Sequence, residues 1–326
     1  NYVIIIDEYD TPIQQGHEAG YYKEVIGFMR NLFSGAFKDN PHLAYGFLTG
    51  ILRVAKESIF SGMNNLKVNT IMDDRFSVYF GFTANEVEEM LAYYGCPEKM
   101  PEAKSWYDGY RFGNSDVFNP WSIINYADEH FFPKTFWQST GSNAIIGDIL
   151  KTATPETMES LKKLLQGGQV TTYVDTGVIY PEILHNPSSI YSFLLMTGYL
   201  KNDGISPQSD GNYICNVSIP NREISYVYEK EILTRWGIPE TESTAARIQQ
   251  AFYEQDEAKL AKCIEEYLRQ TVSFFDTTDE IFYQGLVLGF IAILNNRYYV
   301  LSNRESGDGR FDIQLIPKNN SLPGIL

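Results

Sequence analysis

Two adjacent carboxylates, Asp7 and Glu8, follow directly on the apolar run Val3-Ile4-Ile5-Ile6, within the opening string NYVIIIDEYDTPI. Adjacent acids at the end of such a run suit phosphoryl chemistry. The first would hold the Mg²⁺ of Mg-ATP, usually through water. The second would orient and polarise the water that attacks the γ-phosphate. That division of labour needs both side chains fixed to a fraction of an ångström, which a rigid strand provides and a loop does not. The string also fits a plainer reading, a strand ending in a turn whose Asp7 and Asp10 cap the following helix. Asp7-Glu8-Tyr9-Asp10 further fits the DExD form of helicases, although their later arginine-rich motif is absent from the sequence.

Four apolar residues followed by Asp-Glu form the Walker B pattern of P-loop NTPases, and the elements around it fit that reading. Residues 3–6 are short, β-branched and uninterrupted, as in a strand buried on both faces at the centre of a parallel sheet. Thr11-Pro12 is expected to break the chain. Val25, Phe28, Met29, Leu32 and Phe33 then recur at helical spacing over 21–37, and a second buried strand is expected at 43–48, closed by Thr49-Gly50. Strand, helix and strand make a βαβ unit with polar residues at the strand C-termini, where α/β folds place ligands. Thr49 fits a sensor-like group contacting a phosphate or the water, and Arg53 reaches toward the same place. A phosphate-binding loop, GxxxxGK(S/T), is not found. The nearest string, Gly50-Ile51-Leu52-Arg53-Val54-Ala55-Lys56-Glu57, has Ala55 at the second glycine position and Glu57 where the metal-ligating hydroxyl belongs.

Further along, Thr83-Ala84-Asn85-Glu86 is a capping box that opens a helix through Tyr93. A loop dense in aromatics and turn formers is expected over 106–126. Asn119-Pro120 and Thr154-Pro155-Glu156 start helices, each with proline at the first position. A short apolar helix over 189–196 stops at Gly198, a hairpin-like stretch follows, and helices are expected over 221–236, 245–252 and 258–272. Helix, short hairpin and helix together resemble a winged-helix arrangement. The last segment reads as a helix from about Asp279 to Leu294, then strands over 298–301 and 310–316.

At 326 residues the chain is expected to form two or three domains, and 44% hydrophobic with 14% aromatic residues argues for folded cores over disorder. The net charge of −15 repels nucleic acid on average, so a nucleic-acid role needs a specific site, and the acidic balance suits a protein partner as well. No run of roughly eighteen apolar residues and no signal peptide is found, so a cytoplasmic protein without a membrane partner is expected. Cys96, Cys215 and Cys263 are far apart, as free thiols are, and His17, His42, His130 and His185 show no metal-binding spacing. No GxSxG elbow is present. The aromatic stretch 106–126 suggests base stacking, but Asp108 and Asp116 beside Arg111 favour packing between domains.

Several long strings are similar to the bacterial AAA-ATPase-like family: YVIIIDEYDTPI, LTGILRVAKESIFSGMNNLKVNTI (48–71), FSVYFGFTANEVEEML (76–91), WYDGYRFGNSDVFNPWSIINY (106–126) and FLLMTGYL (193–200). Members resemble STAND-type and archaeal-type P-loop ATPases and commonly carry a C-terminal PD-(D/E)XK nuclease-like domain. The resemblance implies ATP and Mg²⁺ as cofactors. It also implies a Walker A loop upstream, so the chain is expected to be a fragment truncated at both ends. The segment YYVLSNRESGDGRFDIQLIP (298–317) resembles the nuclease-like core. Asp312 would there be a catalytic, metal-ligating acid, Glu280 an extra metal ligand, and a Glu-x-Lys is expected just beyond PGIL. The family tends to a His after the tyrosine of the preceding helix, where this sequence has Tyr283-Gln284.

The fold implied is α/β in three parts. Residues 1–105 are expected to be the C-terminal half of a P-loop NTPase parallel sheet, and 106–275 a mainly helical, winged-helix-like region. Residues 276–326 would begin an α/β restriction-endonuclease-like domain. The expected function is ATP binding and hydrolysis coupled to a nuclease-like domain acting on DNA or RNA. The alternative is a non-catalytic regulatory or interaction protein that keeps the ATPase-like fold.

Overall fold

The computed structural model describes residues 2–53, 59–60, 63, 66–137, 154–183, 186–235, 244–271, 289, 292–294, 297–306 and 309–319. Their contacts define two compact units that interleave along the chain. One takes Asn1–Pro97, Asp108–Pro120 and Thr171–Pro220, the other Glu98–Tyr107, Trp121–Val170 and Asn221–Leu326. These units group residues by contact, whereas the stretches 1–105, 106–275 and 276–326 group them by resemblance, so the two divisions are independent.

In the first unit, β1 (Tyr2–Ile6) and β2 (Leu43–Leu48) pair in parallel as a two-stranded sheet. Two helices connect them, α1 (Thr11–Glu18) and α2 (Tyr22–Phe37). The strand–helix–strand succession is as read from the sequence, with two corrections. Thr11-Pro12 begins a helix instead of breaking the chain, because proline in a first turn lacks only an N–H that would have no helical acceptor. The strands, moreover, are not buried on both faces. The register Val3↔Tyr45 and Ile5↔Phe47 sets four apolar residues on one face, and they are 54%, 67%, 70% and 54% exposed respectively. On the opposite face the Phe37 ring packs onto Gly46. Helices from one crossover cover one side, so an unbroken apolar run did not bring cover on both.

Beneath the strand ends, Tyr9, Phe33 and Phe60 form an aromatic cluster. Phe33 stacks on Phe60 at 6.0 Å, and Tyr9 meets both edge-on at 5.9 and 5.6 Å. Ile13, Ile26 and Met29 of α1 and α2 are also buried. The expected capping box is present at α3 (Ala84–Tyr93), where the Glu86 amide donates to the Thr83 hydroxyl and the Thr83 amide donates to Glu86. The stretch 106–126 is not a loop. It holds the end of α4 (Met100–Tyr107), a hairpin of β3 (Tyr110–Phe112) with β4 (Ser115–Val117), and most of α5 (Pro120–Asp128). Short alternating strands flanked by glycines leave too little periodicity to read as a hairpin.

The chain turns into that hairpin at Gly109, with φ +97°. A Cβ there would lie 2.4 Å from the Pro220 carbonyl oxygen. Gly109→Ala therefore meets both a left-handed backbone and an occupied space. It is expected to cost about 2 kcal/mol or more in urea unfolding of this chain.

The first unit also holds a three-stranded sheet in the order β5-β7-β6, from β5 (Val170–Val174), β6 (Lys201–Pro207) and β7 (Tyr213–Ser218). Between β5 and β6 comes α7 (Pro187–Met196), preceded by a 3-10 turn at Tyr180–Glu182. The second unit carries α4, α5, α6 (Pro155–Leu165), α8 (Arg222–Arg235), α9 (Thr244–Glu254) and α10 (Glu257–Thr271). It ends in the antiparallel hairpin β8 (Tyr298–Ser306) and β9 (Gly309–Pro317). Among the described residues no helix is long and apolar enough to cross a membrane.

Candidate functional site

Asp7 and Glu8 are the first two residues past β1, and Thr49 is the first past β2. The parallel ladder carries on just beyond both strands. The Thr49 amide donates to the Ile6 carbonyl and the Tyr9 amide to the Thr49 carbonyl, each at 2.9 Å. This splice fixes the two strand ends against each other. The Thr49 hydroxyl donates to Asp7 Oδ1, and the Glu8 amide lies 3.1 Å from the same oxygen and 3.3 Å from the Thr49 hydroxyl. Glu8 holds a left-handed backbone, φ +50°, uncommon for a residue with a side chain and a form of strain that gathers at functional sites. The Thr11 hydroxyl donates to Glu8 Oε2 at 3.4 Å. Both carboxylates are exposed.

The next two residues point the other way. Tyr9 and Asp10 are buried. Asp10 occupies the N-cap position of α1 but makes no side-chain cap bond. Its Oδ2 instead accepts the amides of Ile51, at 3.0 Å, and Leu52, at 2.8 Å, across to the segment after β2. The Tyr180 phenol lies near enough to the same carboxylate to feel its charge. The Tyr9 hydroxyl faces the carbonyls of Leu52 and Arg53 at 2.5 and 2.8 Å. Burial pushes the Asp10 carboxyl up, opposed by the amides of Leu52 and Ile51. Burial and the Asp10 charge likewise raise the phenols of Tyr9 and Tyr180. The helix-capping alternative is thus corrected for both acids. Asp10 reaches 41 and 42 residues along the chain, and Asp7 bonds Thr49 and the Glu8 amide.

The structure therefore gathers Asp7, Glu8 and Thr49, and anchors the backbone that carries Arg53. Arg53 is exposed, and its charge opposes the rise in the Tyr9 phenol. Asp312 lies on β9 in the second unit. Glu280 and Tyr283-Gln284 lie outside the described residues. Sequence reasoning gave Asp10 only the roles of a helix cap and of a DExD acid, and it missed Tyr180. The available signal was a third acid following the pair with one residue between, but nothing in the sequence shows its distant amide partners.

Among the described residues no group of three or more His, Cys, Asp and Glu is placed to hold a metal ion. That donor set does not exclude magnesium, which is usually bound through one or two carboxylates with waters and substrate phosphates completing its shell. An exposed Asp7 carboxylate beside the Thr49 hydroxyl fits that mode. A phosphate-binding loop is not among the motifs of the sequence.

Residues 1–60, which carry β1, α1, α2, β2 and the segment clamped by Asp10, match the family model AAA-ATPase_like, described as "Predicted AAA-ATPase". The N-terminal segment is thus similar to that family. A curated protein of Azotobacter chroococcum mcd 1, described as "Uncharacterized protein in vnfD 5'region", is 26% identical over 258 residues. The match covers 77% of this chain and 46% of that protein, so the chain spans about half the length of the curated relative it matches. No solved structure matches.

Proposed function

We propose that this chain is part of an ATP-binding and ATP-hydrolysing AAA-ATPase-like protein, with Asp7 as the magnesium carboxylate and Glu8 as the residue that orients the attacking water. One observation carries the reading: Asp7, Glu8 and Thr49 meet at the C-terminal ends of two paired parallel strands, within the residues that match the family model. Magnesium bound there would neutralise charge on the β- and γ-phosphates. Asp7 would hold it, with its carboxylate turned by the Thr49 hydroxyl. Glu8, exposed and backed by Thr11, would accept a hydrogen bond from water. Arg53, on the anchored segment, supplies positive charge for phosphate oxygens.

The fold expected from the sequence belongs to this proposal. It comprises half of a P-loop NTPase sheet, a winged-helix-like middle region and the start of a PD-(D/E)XK nuclease-like domain in which Asp312 would ligate metal. DNA or RNA would be its substrate. An interaction protein that keeps the ATPase-like fold is the second reading, and it draws on the net charge of −15, which disfavours nucleic acid.

The test is Mg²⁺-dependent ATP turnover by the natural reading frame and its Asp7→Asn variant. A fall of about a hundredfold or more in the variant is expected. Turnover that ignores Asp7→Asn overturns the assignment, and binding of ATP without turnover favours the interaction protein. Residues 1–326 alone are expected to hydrolyse ATP poorly, because Asp7 and Glu8 there lack a GxxxxGK(S/T) partner within the sequence.

A further inference from the structure

We infer that Asp10 is a positioning residue for the acidic pair, setting the Thr49 hydroxyl on Asp7 by clamping the segment 49–53. The inference rests on the reading of Asp7 as the magnesium carboxylate. An acid three residues past Asp7 invites a role on the metal. The geometry gives it a different one. Asp10 is 2% exposed and turned away from the exposed pair. Its Oδ2 takes two consecutive amides, Ile51 and Leu52, which only a locally curled segment can present to one oxygen.

That curl begins at Gly50, immediately after Thr49. Gly50 lies close under the clamp: a Cβ there would sit 2.5 Å from Asp10 Oδ1 and 2.8 Å from the Tyr9 ring. Tyr9 closes the far end by facing the carbonyls of Leu52 and Arg53. The Asp10 charge also acts on the Tyr180 phenol, in the turn before α7, whose ring lies 6.2 Å from that of His17 on α1. The post-β2 segment is thus held by side chains, whereas Thr49 itself is tied to β1 by the ladder bonds and by its hydroxyl. Release of Ile51 and Leu52 would leave the segment after Thr49 held only from its far end by Tyr9, and so loosen where the hydroxyl points. Such a release weakens the exposed site without touching any group on it.

The test uses this chain and Mn²⁺ alone as a stand-in for Mg²⁺. Hydrogen exchange at the Ile51 and Leu52 amides follows the clamp. Paramagnetic broadening of the Glu8 and Thr49 amide resonances follows metal at Asp7. Asp10→Ala is expected to raise exchange at both amides about tenfold or more and to weaken Mn²⁺ binding about threefold to tenfold. Asp10→Asn should restore both, since its amide oxygen can accept the same two N–H groups. Thr49→Val should weaken Mn²⁺ binding as Asp10→Ala does while leaving the two amides protected. Gly50→Ala displaces the segment with Asp10 intact, and is expected to reproduce the Asp10→Ala pattern should that variant fail to fold.

Loss of protection without loss of Mn²⁺ affinity makes Asp10 merely structural and overturns the inference. Unchanged protection in Asp10→Ala overturns the clamp itself. Asp7→Asn separates the two ideas. It should abolish broadening with Ile51 and Leu52 still protected, and broadening that persists in Asp7→Asn refutes the reading of Asp7 beneath the inference.

Discussion

Glu8→Gln is expected to lower kcat for ATP hydrolysis in the natural reading frame by about 10²–10⁴-fold, with nucleotide affinity nearly unchanged. The substitution keeps size and removes the charge that orients water. The expectation depends on how Glu8 is held. Its backbone is left-handed, its amide is within reach of both Asp7 and Thr49, and its Oε2 accepts the Thr11 hydroxyl. Only one carboxylate oxygen is so engaged, which leaves the other to face water. A group acting only in the transition state lowers kcat and kcat/KM together, whereas a group that merely binds substrate raises KM. Single-turnover rates beside equilibrium ATP binding separate these cases. An equal loss of binding and rate in Glu8→Gln would assign Glu8 to holding substrate and leave the water without its named base.

The sequence disclosed the local events around this pair and concealed the distant ones. Val3 to Ile6 announced a strand because β-branched residues in an unbroken run favour extended backbone. Nothing in that run says how many helices will lie over it, and Val3 and Ile5 are more than half exposed. Thr83 and Glu86 announced a capping box because both partners lie within one turn. Asp10 could not be read the same way, since its acceptor role depends on amides at Ile51 and Leu52 brought near by the pairing of β1 with β2. The strand β5, Val170-Thr171-Thr172-Tyr173-Val174, passed unread although its β-branched and aromatic residues begin one residue after Gly167-Gly168. There the signal was present. It lay between two helical segments, and the alternation of exposed and covered residues shows only once β7 pairs beside it.

Glu223→Ala is expected to destabilise the second unit by about 3 kcal/mol, and Glu223→Gln to cost far less. Glu223 is fully buried at the start of α8. One carboxylate oxygen accepts the amides of Phe136 and Trp137, at 2.7 and 2.9 Å, and the other accepts the Ser122 hydroxyl of α5 at 2.7 Å. Alanine leaves three donors without this acceptor. Glutamine keeps an oxygen for the two amides and offers an N–H₂ that the Ser122 hydroxyl can accept. The carboxylate also carries a pH signature. Burial raises its pKa, opposed by the hydrogen bonds from Trp137, Ser122 and Phe136. An acid with a raised folded pKa binds its proton more tightly when folded. Its contribution is therefore fully present below the unfolded glutamate value, about 4.3, and is lost as pH rises through the higher folded value. Unfolding midpoints of the wild type, Glu223→Gln and Glu223→Ala across that window check the sign. The wild type should lose ground to Glu223→Gln as pH rises. A constant gap between the two would mean that the Glu223 carboxylate is no harder to ionise in the fold than in the unfolded chain, and that its three donors fully offset its burial.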